Sequence, residues 1–135
     1  MTISELVEKS HKTALDKGFY GDDGKKERNF AEFLMLIVSE LGECLEAHRH
    51  GAVYPNIKNV LNIYRQYENN NDQETLNEFI LHFERNIKDT IPDELADVVI
   101  RVGDLCGYLG INLEYHINAK MAYNETRKKL HGKKY

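Results

Sequence analysis

Two stretches of this chain are apolar around almost the whole circumference of a helix, and that limits what it can fold into. Phe33–Val38 (FLMLIV) is apolar at every position. Between Leu95 and Leu109, Leu95, Val98, Val99, Val102, Leu105, Cys106 and Leu109 form one apolar face, while Ala96, Ile100, Gly103 and Gly107 cover most of the opposite side. Helices of this kind need cover from other helices. Only 2 prolines and 9 glycines interrupt 135 residues rich in Leu, Ala, Glu and Lys. Helix breakers are scarce, so the expected class is all-α. The length suits one domain, residues 1–135.

The same features exclude other classes. The longest unbroken apolar run is the six residues 33–38, far below the ~20 that a membrane-spanning helix needs. The opening MTISELVEKSHK carries acids and no apolar core, unlike a secretory leader, so a cytoplasmic location and no membrane partner are expected. Cys44 and Cys106 are too few for a disulfide framework or a four-cysteine zinc site, and their apolar faces make them core residues. A net charge of −4 is no match for a nucleic-acid polymer. The 22 acids against 18 Lys and Arg therefore matter through placement.

Periodicity and punctuation predict six helices. The first opens at Thr2 with Glu5 three residues on, a capping-box spacing, and ends near Lys17. A glycine- and aspartate-rich loop, 18–26, follows. The second helix spans about Glu27–His50 before Gly51. The third (about Asn56–Tyr67) and fourth (about Glu74–Lys88) form a helical hairpin within 52–89, joined by Asn69-Asn70-Asn71-Asp72. The fifth begins around Thr90–Pro92 and ends at Gly110. Asn112 caps the sixth, which is expected to run to about Leu130.

The second helix carries SELGE, with Glu40 and Glu43; the fifth carries DELAD, with Glu94 and Asp97. Each pair is spaced i, i+3 and shares a helix face. Most such pairs form solvated acidic stripes. Here Glu40 and Glu43 point the same way as Phe33, Leu36 and Ala47. On the fifth helix only a narrow polar stripe, Glu94, Asp97, Arg101 and Asp104, separates the apolar surfaces. Grouping carboxylates in such surroundings is unfavourable, because desolvation and like charge both oppose ionisation. A divalent cation relieves this. An all-oxygen donor set without His or Cys suits Mg²⁺, with Mn²⁺ as a substitute. Mg²⁺ often takes phosphate oxygens as further ligands, which points to metal-assisted phosphate chemistry. A di-iron bundle would need Glu-x-x-His on two helices, and Glu8 with His11 supplies one.

These residues carry a family resemblance. Glu40-x-x-Glu43 followed by Glu94-x-x-Asp97, within LMLIVSELGECLEAHRHG and DELADVVIRVGDLCGYLGINL, resembles the metal-binding signature of the MazG-like all-α nucleoside triphosphate pyrophosphatases. Lys120-x-x-x-Asn124-x-x-Arg127 resembles that family's phosphate- and sugar-contacting motif. His11 and Lys17-Gly18-Phe19-Tyr20 resemble a segment that lines the nucleotide pocket in some members. The resemblance covers roughly 3–50 and 90–135. It implies a four-helix-bundle-type core completed by oligomerisation, as a homodimer or homotetramer with pockets built across subunits. It implies hydrolysis of a nucleoside triphosphate to monophosphate and pyrophosphate, with Mg²⁺ held by the catalytic Glu40, Glu43, Glu94 and Asp97. The long connection between Glu43 and Glu94 departs from typical members, so the hairpin 52–89 reads as an insertion with a structural role.

Substrate-binding candidates follow. Lys120, Asn124 and Arg127 share a helix face and suit phosphate and sugar. Lys128, Lys129, Lys133 and Lys134 read as a solvated basic tail. Phe19 and Tyr20 either pack on the core or stack on a base; His11 is either a satisfied helix residue or a ligand contact. Tyr123 reads as packing, and Asp104 as a residue behind the site or on the surface. Two other readings stay open: a non-catalytic helical module that binds metal or a partner, and a same-fold dUTPase or phosphoribosyl-ATP pyrophosphohydrolase.

Overall fold

A computed structural model describes residues 1–53 and 57–128. These residues form six α-helices and no strand: α1 (Ile3–Asp16), α2 (Phe30–Arg49), α3 (Ile57–Asn70), α4 (Gln73–Asn86), α5 (Ile91–Leu109) and α6 (Leu113–Glu125). The all-α class is therefore the observed one. No helix among the described residues is long and apolar enough to cross a membrane.

Local chemistry explains the helix ends. Thr2 accepts a hydrogen bond from the Glu5 N–H and Glu5 accepts one from the Thr2 N–H, completing the capping box at the start of α1. Asp72 accepts from the Thr75 N–H at the start of α4, and Asn112 from the Tyr115 N–H at the start of α6. After α2, Gly51 adopts φ 73°, a left-handed conformation that costs glycine little. Helix α6 ends at Glu125, short of the expected Leu130. The Thr126 hydroxyl donates to the Tyr123 carbonyl and the Arg127 N–H to the Asn124 carbonyl, closing the chain into a tight turn. Lys129, Leu130, Lys133 and Lys134 of the expected helix end and basic tail lie outside the described residues.

The described residues cluster in two compact units, and α5 contributes to both, changing over at Val99 and Ile100. One unit contains α2, α3, α4 and the first half of α5. Its buried residues include Phe33, Ala47, Val60, Ile63 and Ile87. Helices α3 and α4 pack as the expected hairpin, with Tyr64 and Phe79 ring centroids 5.2 Å apart. The start of α5 is tied down by a hydrogen bond from the Ile91 N–H to the Ala52 carbonyl, 3.0 Å.

The other unit contains α1, the loop to Asn29, the second half of α5, and α6. Gly103 and Gly107 allow α1 to lie close against α5. A Cβ at Gly103 would stand 2.8 Å from Ser10 Oγ, and one at Gly107 would stand 2.5 Å from His11 Cβ. Across the α1–α6 contact, Glu114 accepts from the Ser4 N–H at 2.9 Å and the Ser4 hydroxyl at 2.7 Å. Cys106 is buried here as expected, whereas Cys44, in the other unit, is only half-buried.

Candidate functional site

Carboxylate oxygens of Glu40, Glu43 and Glu94 all lie within 4.8 Å of one another. The i, i+3 spacing on α2 presents Glu40 and Glu43 to the same side, and the first turn of α5 brings Glu94 to meet them. Glu40 is 5% exposed and Glu94 4% exposed, whereas Glu43 is open to solvent. Burial holds the Glu94 carboxyl above the usual carboxylate range, and the charges of Glu43, Asp93, Asp97 and Glu40 push it the same way.

A cavity of about 560 Å³ adjoins this cluster. Six carboxylates line it, those of Glu43, Glu84, Asp89, Asp93, Glu94 and Asp97, with Lys88 as the single cation among the lining residues. Asp97, the fourth expected ligand, is thus on the wall of the cavity, one helical turn after Glu94. Asp93 is held in place by the Asp89 N–H, which donates to it at 3.1 Å. Burial raises the Asp93 carboxyl, a trend the neighbouring Asp89 charge reinforces and Lys88 offsets.

The donor set fits a hard divalent cation. It is all oxygen, it contains two carboxylates removed from water, and its surroundings carry a large excess of negative charge. Glu40, Glu43 and Glu94 are placed to hold such an ion. Asp97 lies one turn along the same helix.

The remaining side of the cavity comes from the hairpin. Phe79, Ile80 and Phe83 of α4 face it, with Glu84 and Lys88 further along the same chain segment. Residues 52–89 read from sequence as an insertion that caps the pocket, extends a dimer interface or is purely structural; in the structure α4 is a wall of the acidic cavity. The i, i+4 pair Phe79 and Phe83 was legible as an apolar stripe, but nothing local marked which side of it would stay open.

In the other unit, the predicted residues His11 and Tyr20 meet on a residue assigned no role from sequence. Asp104 Oδ1 accepts from the Tyr20 hydroxyl at 2.7 Å and lies 2.9 Å from His11 Nδ1. A carboxylate only accepts, so Nδ1 carries the imidazole proton and Nε2 is left as an acceptor when the ring is neutral. Tyr20 is 1% exposed. Its ring stacks on Tyr108 at 5.5 Å and meets His11 edge-on at 5.1 Å, with the Arg28 guanidinium over its face at 5.8 Å. Burial, then the hydrogen bond to Asp104, raises the Tyr20 hydroxyl far above its usual range, so it remains a donor. Asp104 is therefore the centre of a polar cluster and not a surface residue. The clue in the sequence was Gly103 and Gly107 on either side of it, an i, i+4 pair that marks a close helix approach.

Lys17 and Phe19 do not join this cluster. Lys17 is the exposed C-cap of α1, and Phe19 is 52% exposed. The Lys120 ammonium and the Arg127 guanidinium both lie over the Tyr123 ring, at 5.0 and 5.8 Å from its centroid. Tyr123 is exposed, so it is a platform for two cations and not a packing residue. Asn124 is exposed on the last turn of α6, and Arg127 lies beyond the helix end.

Compared with protein-family models, with curated proteins and with solved structures, the chain matches none.

Proposed function

We propose that this protein hydrolyses nucleoside triphosphates to the monophosphate and pyrophosphate, as a MazG-like all-α pyrophosphohydrolase. The observation that carries this reading is the meeting of Glu40, Glu43 and Glu94 within 4.8 Å, two of them buried, beside a cavity of about 560 Å³. That volume lies in the range of small-molecule sites. The residue pattern that resembles the family's metal signature is the one that converges in space.

Mg²⁺, or Mn²⁺ in its place, would neutralise phosphate charge and lower the pKa of a bound water. Glu40, Glu43 and Glu94 would hold the ion, with Asp97 one turn along α5 as the fourth carboxylate that the resemblance implies. A carboxylate of this group orients the attacking water and receives its proton. The water oxygen bonds to phosphorus at the α–β anhydride, the P–O bond breaks, and pyrophosphate leaves. The substrate-binding roles of Lys120, Asn124, Arg127, His11, Lys17, Phe19 and Tyr20 rest on the family resemblance alone, in which Lys and Arg suit phosphate and Asn suits sugar or phosphate. Apolar side chains exposed along α2 support a homodimer or homotetramer.

The test is product identification by chromatography across canonical and modified nucleotides with Mg²⁺. Pyrophosphate and a monophosphate are expected from wild type, with Glu40→Gln and Glu94→Gln losing most turnover while remaining helical. Release of pyrophosphate by either variant at the wild-type rate refutes the assignment. No turnover of any nucleotide, together with metal-dependent melting, assigns a binding module instead. Cleavage confined to dUTP or to a phosphoribosyl-nucleotide identifies the same-fold alternatives.

A further inference from the structure

We infer that the hairpin helix α4 carries the nucleobase subsite of this enzyme, with Phe79 and Phe83 as the stacking surface. The inference rests on the pyrophosphohydrolase reading and adds the residues that bind the base. Phe79 and Phe83 are one turn apart on α4, with ring centroids 5.9 Å apart and tilted by 58°. Both line the cavity whose opposite wall carries Glu43, Glu94 and Asp97. Tyr64 of α3 packs against Phe79 at 5.2 Å and fixes its ring from behind, so the platform is braced by the hairpin itself. Both phenylalanines are only half-buried, although apolar rings of this size are ordinarily taken out of water.

A triphosphate anchored at the carboxylates through a cation must direct its nucleoside somewhere within or out of the cavity. The aromatic wall suits a planar base, since any base offers a π-face to stack. Glu84 and Asp89 on the same lining accept hydrogen bonds only, which favours bases that present N–H groups to them. The carboxylates placed to share a cation, Glu43 and Glu94, belong to α2 and α5 and not to the hairpin. The hairpin side is therefore the base end of the cavity and the α2–α5 side the phosphate end.

The experiment is calorimetric titration, in the presence of Mn²⁺, with a nucleoside triphosphate made non-hydrolysable by an α,β-methylene bridge. Inorganic tripolyphosphate is the parallel probe without a base. Phe83→Ala is expected to weaken nucleotide binding roughly tenfold or more, the scale of losing one base stack, and to leave tripolyphosphate binding within about twofold. Phe83→Tyr, which keeps the ring, is expected to bind as wild type does. Phe83→Leu keeps a large apolar side chain without the ring and carries the test if the alanine variant does not fold.

Equal weakening of both probes, or of neither, overturns the subsite while leaving the pyrophosphohydrolase reading intact. Wild type that binds neither probe overturns both. A change in sedimentation with Phe83→Leu, without a change in nucleotide affinity, assigns the aromatic wall to a subunit contact instead.

Discussion

Replacing Glu94 with glutamine should stabilise the protein in the absence of metal, although a substitution at a buried position ordinarily destabilises. Glu40 and Glu94 are 5% and 4% exposed, with carboxylate oxygens no more than 4.8 Å apart. Two unit charges at that separation repel by about 3 kcal/mol at an effective dielectric constant near 20. Glu43, Asp93 and Asp97 act on Glu94 in the same sense. Protonation relieves part of this strain in the wild type, so the gain from Glu94→Gln at pH 7.5 should be about 1–3 kcal/mol. That corresponds to roughly 3–10 °C in Tm for a chain of this size. The amide is nearly isosteric and brings donors where only acceptors stood.

The pH dependence fixes the sign independently. In the folded protein the Glu94 carboxyl sits above its ordinary range, and in the unfolded chain near 4.3. Between those values the native state binds more protons than the unfolded state, so stability falls as pH rises through the window. Wild type in EDTA should therefore lose stability as pH rises from about 4.3 through the raised Glu94 value. Glu94→Gln should lose less. Mg²⁺ should reverse the ranking: a site filled at 100 times its Kd contributes about 2.7 kcal/mol, which wild type gains and the variant largely forgoes. Urea titrations with EDTA or with Mg²⁺, at intervals from pH 5 to 8, read all of this. The reasoning is refuted if Glu94→Gln is less stable than wild type in EDTA at pH 7.5, or if Mg²⁺ stabilises both proteins equally.

Two further outcomes are expected. Gly107→Ala places a methyl 2.5 Å from His11 Cβ, an atom fixed to the α1 backbone. It should destabilise by about 1–3 kcal/mol despite alanine's better helix propensity, and unchanged thermal melting would show that α1 yields there. Leu41→Lys charges the exposed α2 stripe Phe30, Leu34, Val38, Leu41 and Leu45. On the proposal that this stripe is the contact of a homodimer or homotetramer, it should weaken self-association at least tenfold in sedimentation; a wild type that sediments as a monomer, or a variant that associates as wild type does, refutes that proposal.

What the sequence disclosed and what it withheld divide by distance along the chain. The Thr2–Glu5 capping box, the Asn112 cap and the Gly51 terminus are short-range features that sit where their spacing placed them, while Asp72, expected only as part of a turn, caps α4. The pairing of Glu40 with Glu43 was equally local. Asp104 was not legible in the same way, because its partners lie 84 and 93 residues away, at Tyr20 and His11. Its neighbours along α5 suggested an acidic stripe, and the contact that matters comes from the opposite end of the sequence. The hairpin presented the same difficulty. Phe79 and Phe83 identify an apolar face, but the path from Ile87 to Ile91, with Asp89 at φ 60°, decides that this face borders the carboxylates.

The half-buried Asp104 and the buried Glu94 are accommodated in opposite ways, and the contrast bears on function. Asp104 is surrounded by donors: the Tyr20 hydroxyl and His11 Nδ1 converge on one of its oxygens. Its charge is answered within the fold, as buried charges usually are. Glu94 is more deeply buried, at 4% exposed, yet the groups that act on it after burial are four more carboxylates, Glu43, Asp93, Asp97 and Glu40. At Glu94 the neighbouring charges add to the cost of burial, whereas at Asp104 two hydrogen-bond donors offset it. A divalent cation arriving with or before a phosphate would relieve the repulsion at Glu94. The metal-free stability of Glu94→Gln measures how much of the fold's free energy is committed to keeping that position ready.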